Sequence, residues 1–309
     1  MRKITILLFS LALFNACDKI DDPIPDSIGT TVQIGDIQYV ADPSLNISTD
    51  SILDFIASKT WDSITGPNNS SQRFVVLEEF TGHKCRACPN GAREIQRLVG
   101  EYGDQLIPIA IHSTNSFAAP EPSGNMYRTD FRLQSGKGET YRIDLNIGAL
   151  PQGIVSRTTT SGRQISQWEG DFLALKDDSP VAALSIKSFY TSSDSFLIRV
   201  QLEIEWLVTL PETYKLQVDL LESNIIDWQL DGTVDIEHYN HKHVLRKLVN
   251  DTYGIQLKTA VAGERENFQY ITTLSSAWKP ENMEVVAFIF DSDPNSYKIV
   301  QANAVHVRK

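Results

Sequence analysis

Cys85 and Cys88 stand three residues apart in Cys85-Arg86-Ala87-Cys88-Pro89, after an apolar run and ahead of a helical pattern. A thiol at a helix start faces unpaired backbone N–H groups and the positive end of the helix dipole. Both favour thiolate over thiol and lower the pKa. His83, Lys84 and Arg86 add positive charge around Cys85. Cys88, about one helical turn on, is placed to attack the sulfur of Cys85, so the pair can cycle between dithiol and disulfide. Two other chemistries stay open. One is an inert disulfide, which across a single turn restrains little chain entropy. The other is metal ligation, for which zinc usually wants four ligands; there is no second Cys-x-x-Cys, so His238, His241 and His243 would have to contribute from far downstream.

The elements that hold the pair are legible from periodicity. Phe74–Phe80 is a short apolar run that reads as a buried strand. Ala92, Ile95, Leu98, Val99 and Tyr102 make one apolar helix face, which Gly103 closes. Leu106–Ile111 reads as a second buried strand. A strand–helix–strand unit of this size implies a parallel pair joined by a right-handed crossover. A further helix is expected from Ile165 to Lys176, stopped by Asp177-Asp178-Ser179-Pro180.

Beyond residue 178 the period changes to two. Ile198, Val200, Leu202, Ile204 and Trp206 alternate with polar residues, and Tyr214, Leu216, Val218 and Leu220 repeat the pattern. Val181–Tyr190, Glu266–Thr273, Met283–Asp291 and Lys298–Val307 are further strands, with a turn at Asp291–Ser296. About seven short antiparallel strands imply an all-β immunoglobulin-like sandwich. His241 and His243 would share a face if extended; without a nearby carboxylate or thiol they read as a polar loop contact, not a metal pair.

The start of the chain reads as an address. Arg2 and Lys3 precede the apolar run Ile4–Phe14, too short for a membrane span but suited to a secretory signal. Leu13-Phe14-Asn15-Ala16-Cys17 resembles a bacterial lipobox, whose cysteine is lipidated and becomes the mature N-terminus. Acyl chains on Cys17 would anchor the protein without a spanning helix. Removal of residues 1–16 leaves only Cys85 and Cys88 of the three cysteines for redox chemistry. Asp18–Asp26, rich in acid and proline, reads as a solvated tether. Asp-Ser-Ile occurs at residues 26–28, 50–52 and 62–64 and resembles a bacterial O-glycosylation sequon; Asn46-Ile47-Ser48 and Asn69-Ser70-Ser71 read as turns.

The 309 residues carry 39 acidic against 28 basic side chains, a net charge of −11. That balance argues against a nucleic-acid partner, whose phosphates need basic patches. No phosphate-binding glycine-rich loop and no Ser-His-Asp nucleophile motif is recognisable, and no cofactor is expected.

Glu78–Pro89 resembles the active-site segment of thioredoxin-like proteins. That resemblance implies that Glu79 is a buried acid moving protons for Cys88. Ile147–Val155 is similar to the loop in which a cis-proline faces the dithiol, which assigns that role to Pro151. Residues of about 113–143 are then an insertion near the active face. The Arg86-Ala87 dipeptide and Lys84, where a tryptophan often stands, depart from the familiar pattern; Glu79 is equally open to a salt bridge with Lys84 or Arg86. Over the whole chain, Val76–Pro89, Ala110–His112, Tyr239–Arg246 and Pro280–Ile289 resemble the outer-membrane-protein-28-related lipoprotein family. The resemblance implies a lipid-anchored envelope protein of the outer membrane. Its expected parts are a signal peptide (1–16), a tether and extension (17–65), an α/β thioredoxin-like domain with a central mixed sheet flanked by helices (66–178), and the sandwich (179–309).

Two functions are carried forward. One is thiol–disulfide exchange, with Cys85 attacking, Cys88 resolving, Glu79 moving protons and Pro151 shaping the substrate site; its partners are protein thiols or disulfides. The other is a non-enzymatic surface lipoprotein, an adhesin or accessory subunit that binds another envelope protein through the sandwich.

Overall fold

A computed structural model describes residues 29–133, 136–293 and 295–308. The signal segment, Cys17, the acidic stretch behind it and the first Asp-Ser-Ile lie outside the described residues.

The chain opens with the hairpin β1 (Thr30–Ile34) and β2 (Ile37–Ala41), then a short helix α1 (Ile52–Ala57) and strand β3 (Asp62–Thr65). The parallel unit follows: β4 (Val75–Thr81), α2 (Cys88–Tyr102) and β5 (Leu106–His112). Helices α3 (Asn115–Ala118) and α4 (Lys137–Asp144) lead to β6 (Gln152–Val155), which pairs antiparallel with β4, and to α5 (Ile165–Leu173). The remaining strands are β7 (Ala182–Tyr190), β8 (Leu197–Trp206), β9 (Tyr214–Glu222), β10 (Ile225–Asp231), β11 (Val234–His241), β12 (Val244–Leu248), β13 (Ile255–Gln256), β14 (Arg265–Thr273), β15 (Met283–Asp291) and β16 (Ile299–His306).

These strands do not sort into the two domains expected from periodicity. One eight-stranded sheet runs β16-β15-β9-β12-β5-β4-β6, with β13 on β9. Five strands from beyond residue 178 therefore continue the sheet of β4, β5 and β6. The join is narrow: β12 meets β5 in parallel at Val244↔Ala110, and the Ala110 N–H donates to the His243 carbonyl at 2.8 Å. The second sheet runs β1-β2-β14-β8-β7-β3. Residues 30–65, expected as an extension behind a tether, thus form both of its edges. Among the described strands beyond residue 178 every pairing with one another is antiparallel, but they do not stand as a separate immunoglobulin-like sandwich: β14 pairs in parallel with β2 and β12 with β5, so the architecture is mostly β, in mixed sheets. The physical reason is edge closure. A separate first domain would leave the β5 edge unpaired, and an unpaired edge is a liability that β12 removes.

The sheets enclose one core. Leu184, Val200 and Leu202 from one meet Leu216, Val218, Val285 and Ala287 from the other. Strand β4 is buried on both faces: Val76 and Phe80 pack with Tyr141, Phe288 and Phe290, whereas Val75 and Leu77 pack under Ile95, Leu98, Trp168 and Phe172. A strand buried on both sides explains the unbroken apolar run. Asn46 makes a left-handed turn at φ +49°, and Asn69 is buried, its amide donating to the Ala302 carbonyl at 2.7 Å.

Candidate functional site

Strand β4 ends at Thr81, and the chain turns through Gly82–Ala87 into α2. Gly82 is required there, because a Cβ would sit 2.6 Å from the Phe117 carbonyl oxygen. Cys85 lies in this turn, its N–H donating to the Gly82 carbonyl at 3.0 Å, and α2 begins at Cys88. Cys85 and Cys88 are joined in a disulfide. The helix therefore starts one residue group later than the spacing suggests, with Cys88 and not Cys85 in its first turn.

Both cysteines are shut in: Cys85 is 3% and Cys88 2% exposed. The cover comes from two places. The β10–β11 hairpin lies across the turn, with the Leu230 N–H donating to the His83 carbonyl and the Gly232 N–H to the Arg86 carbonyl, both at 2.8 Å. The Gln229 amide approaches the Cys85 carbonyl at 3.3 Å, and Arg93 of α2 pairs with Asp231 at 2.8 Å. The segment after β5 supplies the other side: Tyr127 donates to Asp235 and Thr129 to Asp227, tying it to the hairpin. Lys84 is held by Glu121 of the same segment at 2.7 Å, so it does not pair with Glu79.

Glu79 is 2% exposed, and its Oε1 has no hydrogen-bond partner among the described residues. Gly91 of α2 sits directly over it: a Cβ there would lie 2.3 Å from Oε1. Burial alone pushes its pKa up to about 8, because desolvation penalises the charged form. At neutral pH this carboxyl holds its proton. Glu79 and Cys88 line the same cleft of about 400 Å³, between α2, β5 and Tyr239–His243. Pro151 does not line it. The Leu150–Pro151 bond is cis, and the register Phe80↔Gln152 sets Pro151 at the end of β4 from which the cysteine turn leaves.

Histidines crowd the other side. His83 is fully buried and His112 4% exposed; with His241 they pack around Phe131, at ring distances of 5.6, 4.9 and 4.7 Å. Burial lowers the pKa of all three, His241 to about 4, so the rings are neutral. His241 is a buried wall residue, its Nε2 at 3.2 Å from the Trp228 carbonyl, and not a polar loop contact. No group of three or more metal-ligating side chains occurs among the described residues. The sequence reading missed the hairpin cover and the part played by His112. The alternation across Ile225–His241 is weak, and nothing local announces which strand it will cover.

Residues 139–309 match the family model of outer membrane protein Omp28. The matched stretch contains neither Cys85 nor Cys88. No curated protein matches the chain. Among solved structures, HBP35 of Porphyromonas gingivalis has a TM-score of 0.59 at 19% identity, covering 77% of this chain and 76% of that one. That likeness is one of fold. A protein from Agrobacterium tumefaciens has a TM-score of 0.49 at 12% identity, covering 76% of this chain and 95% of its own. A domain of the outer membrane lipoprotein Omp28 from Porphyromonas gingivalis has 25% identity and a TM-score of 0.27, covering 42% of this chain and 93% of its own. Among the described residues no helix is long and apolar enough to cross a membrane, which says nothing about a β-barrel.

Proposed function

The chain belongs to the family of outer membrane protein Omp28, and on that premise we propose a non-catalytic outer-membrane lipoprotein, anchored by lipid on Cys17, that binds another envelope protein. The observation that carries this reading is the sealed disulfide. Thiol–disulfide exchange needs in-line access of an attacking thiolate to a sulfur. With both cysteines at 3% exposure or less and the hairpin bonded across the turn, the sulfur atoms offer an incoming thiolate almost no surface. The pair then acts as an internal tie beneath the hairpin. The experiment is reduction of the native protein by dithiothreitol, followed by alkylation. Protection of the disulfide until the protein unfolds, together with absence of insulin reduction, supports the reading. Rapid reduction of the folded protein with insulin turnover overturns it. Labelling with a radioactive fatty acid that disappears in Cys17→Ala tests the anchor.

A second reading has its own observation, the unpartnered Glu79. A carboxyl buried without a hydrogen-bond partner costs stability, and such groups cluster at functional sites. In this reading the β4–α2–β5–β6 frame is thioredoxin-like and the hairpin moves aside. A partner's thiolate attacks Cys85 Sγ, the Cys85–Cys88 bond breaks, and Cys88 leaves as a thiolate that takes the proton of neutral Glu79. The partner's second thiolate then attacks the mixed disulfide and releases Cys85. The partner's dithiol is oxidised to a disulfide and the Cys85–Cys88 pair is reduced. Pro151 shapes the site for the partner's strand. In a Cys88→Ser variant, Cys85 should hold mixed disulfides with envelope proteins; a cell in which none forms removes this reading.

A further inference from the structure

A second cavity shares His112 with the cysteine cleft as a wall residue. It has a volume of about 450 Å³, within the ~300–1,000 Å³ typical of small-molecule sites. His112, Ser113, Arg132, Leu133, Arg246 and Trp278 are among its walls. Three polar atoms in these walls are buried without a hydrogen-bond partner among the described residues: His112 Nδ1, Ser113 Oγ and Arg246 Nη1. Ser113 is 1% exposed, His112 4%, and the Arg246 side chain 12%. Buried polar atoms are nearly always satisfied, so three orphans on residues that line one cavity mark a place where a partner belongs.

The charges say which partner. The acids of this cavity are already engaged: Asp130 is held by Arg132 at 2.7 Å, and Glu139 by Arg142 at 2.8 Å and by the Thr114 N–H at 3.1 Å. Arg246 is engaged on one side only. Its Nε stands 3.4 Å from Glu222, and its guanidinium packs at 5.4 Å from the Trp278 ring and 5.8 Å from Phe131. Nη1 is left to donate. A guanidinium N–H and a serine hydroxyl lining one cavity suit a carboxylate, which can accept from both. One half-used cation does not suit a multiply charged phosphate, and it repels a metal ion. Trp278 and Leu133 offer apolar surface for the body of the molecule.

The parts are brought together by the join between the sheets. The pairing Val244↔Ala110 brings Ala110–His112 beside Tyr239–Arg246, and Trp278 stands just ahead of Pro280–Ile289. His112 and Arg246, brought together by that pairing, therefore meet Trp278 at one cavity.

We propose that this cavity binds a small organic acid, its carboxylate received by Arg246 Nη1 and Ser113 Oγ and its apolar body against Trp278. The site is independent of the cysteine pair. The experiment is calorimetric titration of the folded protein at low ionic strength with benzoate, and with benzamide as the uncharged match. Saturable one-site binding of benzoate, with benzamide about tenfold weaker or worse, is expected. Ser113→Ala should weaken benzoate about tenfold, the loss of one hydrogen bond to a charged group. Arg246→Gln should abolish binding, and Cys85→Ser/Cys88→Ser should leave it unchanged. Should Arg246→Gln fail to fold, Ser113→Ala decides. Absence of saturable benzoate binding, equal affinity for benzamide, or wild-type affinity in Ser113→Ala overturns the proposal.

Discussion

Glu78 and Glu79 are neighbours on β4 and equally buried, at 1% and 2% exposure, yet they point to opposite faces and meet opposite conditions. On its face, Glu78 receives both Nε and Nη2 of Arg157 at 2.7 Å. The guanidinium is boxed by the rings of Tyr141, Phe288 and Phe290 at 5.5, 5.2 and 5.4 Å, and the Glu78 carboxylate holds its pKa high against burial. On the other face Glu79 has α2 and its glycine overhead and no donor for Oε1. Strand alternation alone separates the two environments. Equal burial thus yields a fixed ion pair on one side and a protonated acid on the other; the partner decides, not the depth.

The sharpest way to break this contrast is Arg157→Met. Leaving the Glu78 charge buried and alone should cost about 3–5 kcal/mol in urea unfolding, and Glu78→Met/Arg157→Met should recover most of the loss. A single variant that loses under about 1 kcal/mol would mean that water reaches Glu78.

Next in size is the pH dependence carried by Glu79. Its folded pKa of about 8 lies above its unfolded value, so the folded state holds an extra proton between about 4.5 and 8. Stability from this group is full below that window and is lost as pH rises through it, at about 1.4 kcal/mol per pH unit. Glu79→Gln should therefore match the parent near pH 5 and exceed it at pH 9. Asp219, also raised to about 8 by burial, leaves a residual slope of the same sign.

His241 carries the opposite sign. Its folded pKa of about 4 lies below the unfolded value, so stability is lost as pH falls from about 6.5 to 4, at about 1.4 kcal/mol per pH unit for this ring. His241→Gln should flatten the acid limb of the profile and leave the Glu79 limb in place. An unchanged acid limb would show that His241 is wet. The smallest effect belongs to Cys85→Ser/Cys88→Ser. A loop this short restrains little entropy, and a loss of about 2 kcal/mol or less in thermal unfolding is expected.

Much of the frame near the pair could be read directly. The apolar run before Thr81, the face from Ala92 to Tyr102 and the run from Leu106 correspond to β4, α2 and β5, because each is a local pattern that burial imposes on the sequence. The alternation from Ile198 to Trp206 became β8 for the same reason. Pairing between distant strands leaves no such trace. Nothing in Ala110 announces Val244, and nothing in Glu78 announces Arg157, since an ion pair needs only two ends and its distance along the chain is free. The disulfide was legible as a pair of cysteines; its cover was not, because hydrogen bonds from Leu230 and Gly232 are made by backbone groups that every residue carries.

The strand pairing has a consequence for how the chain reaches this state. Ile37, near the start, pairs with Asn267, and Ala110 with Val244, so neither sheet is complete until the last third of the chain is present. Such long separations make folding slow and concerted, not stepwise along the chain. A chain cut short before residue 244 would leave two open sheet edges in place of a smaller folded unit. A protein tied in this way can remain unstructured while it is being threaded through a membrane, and close into its final form only after the whole of it has crossed.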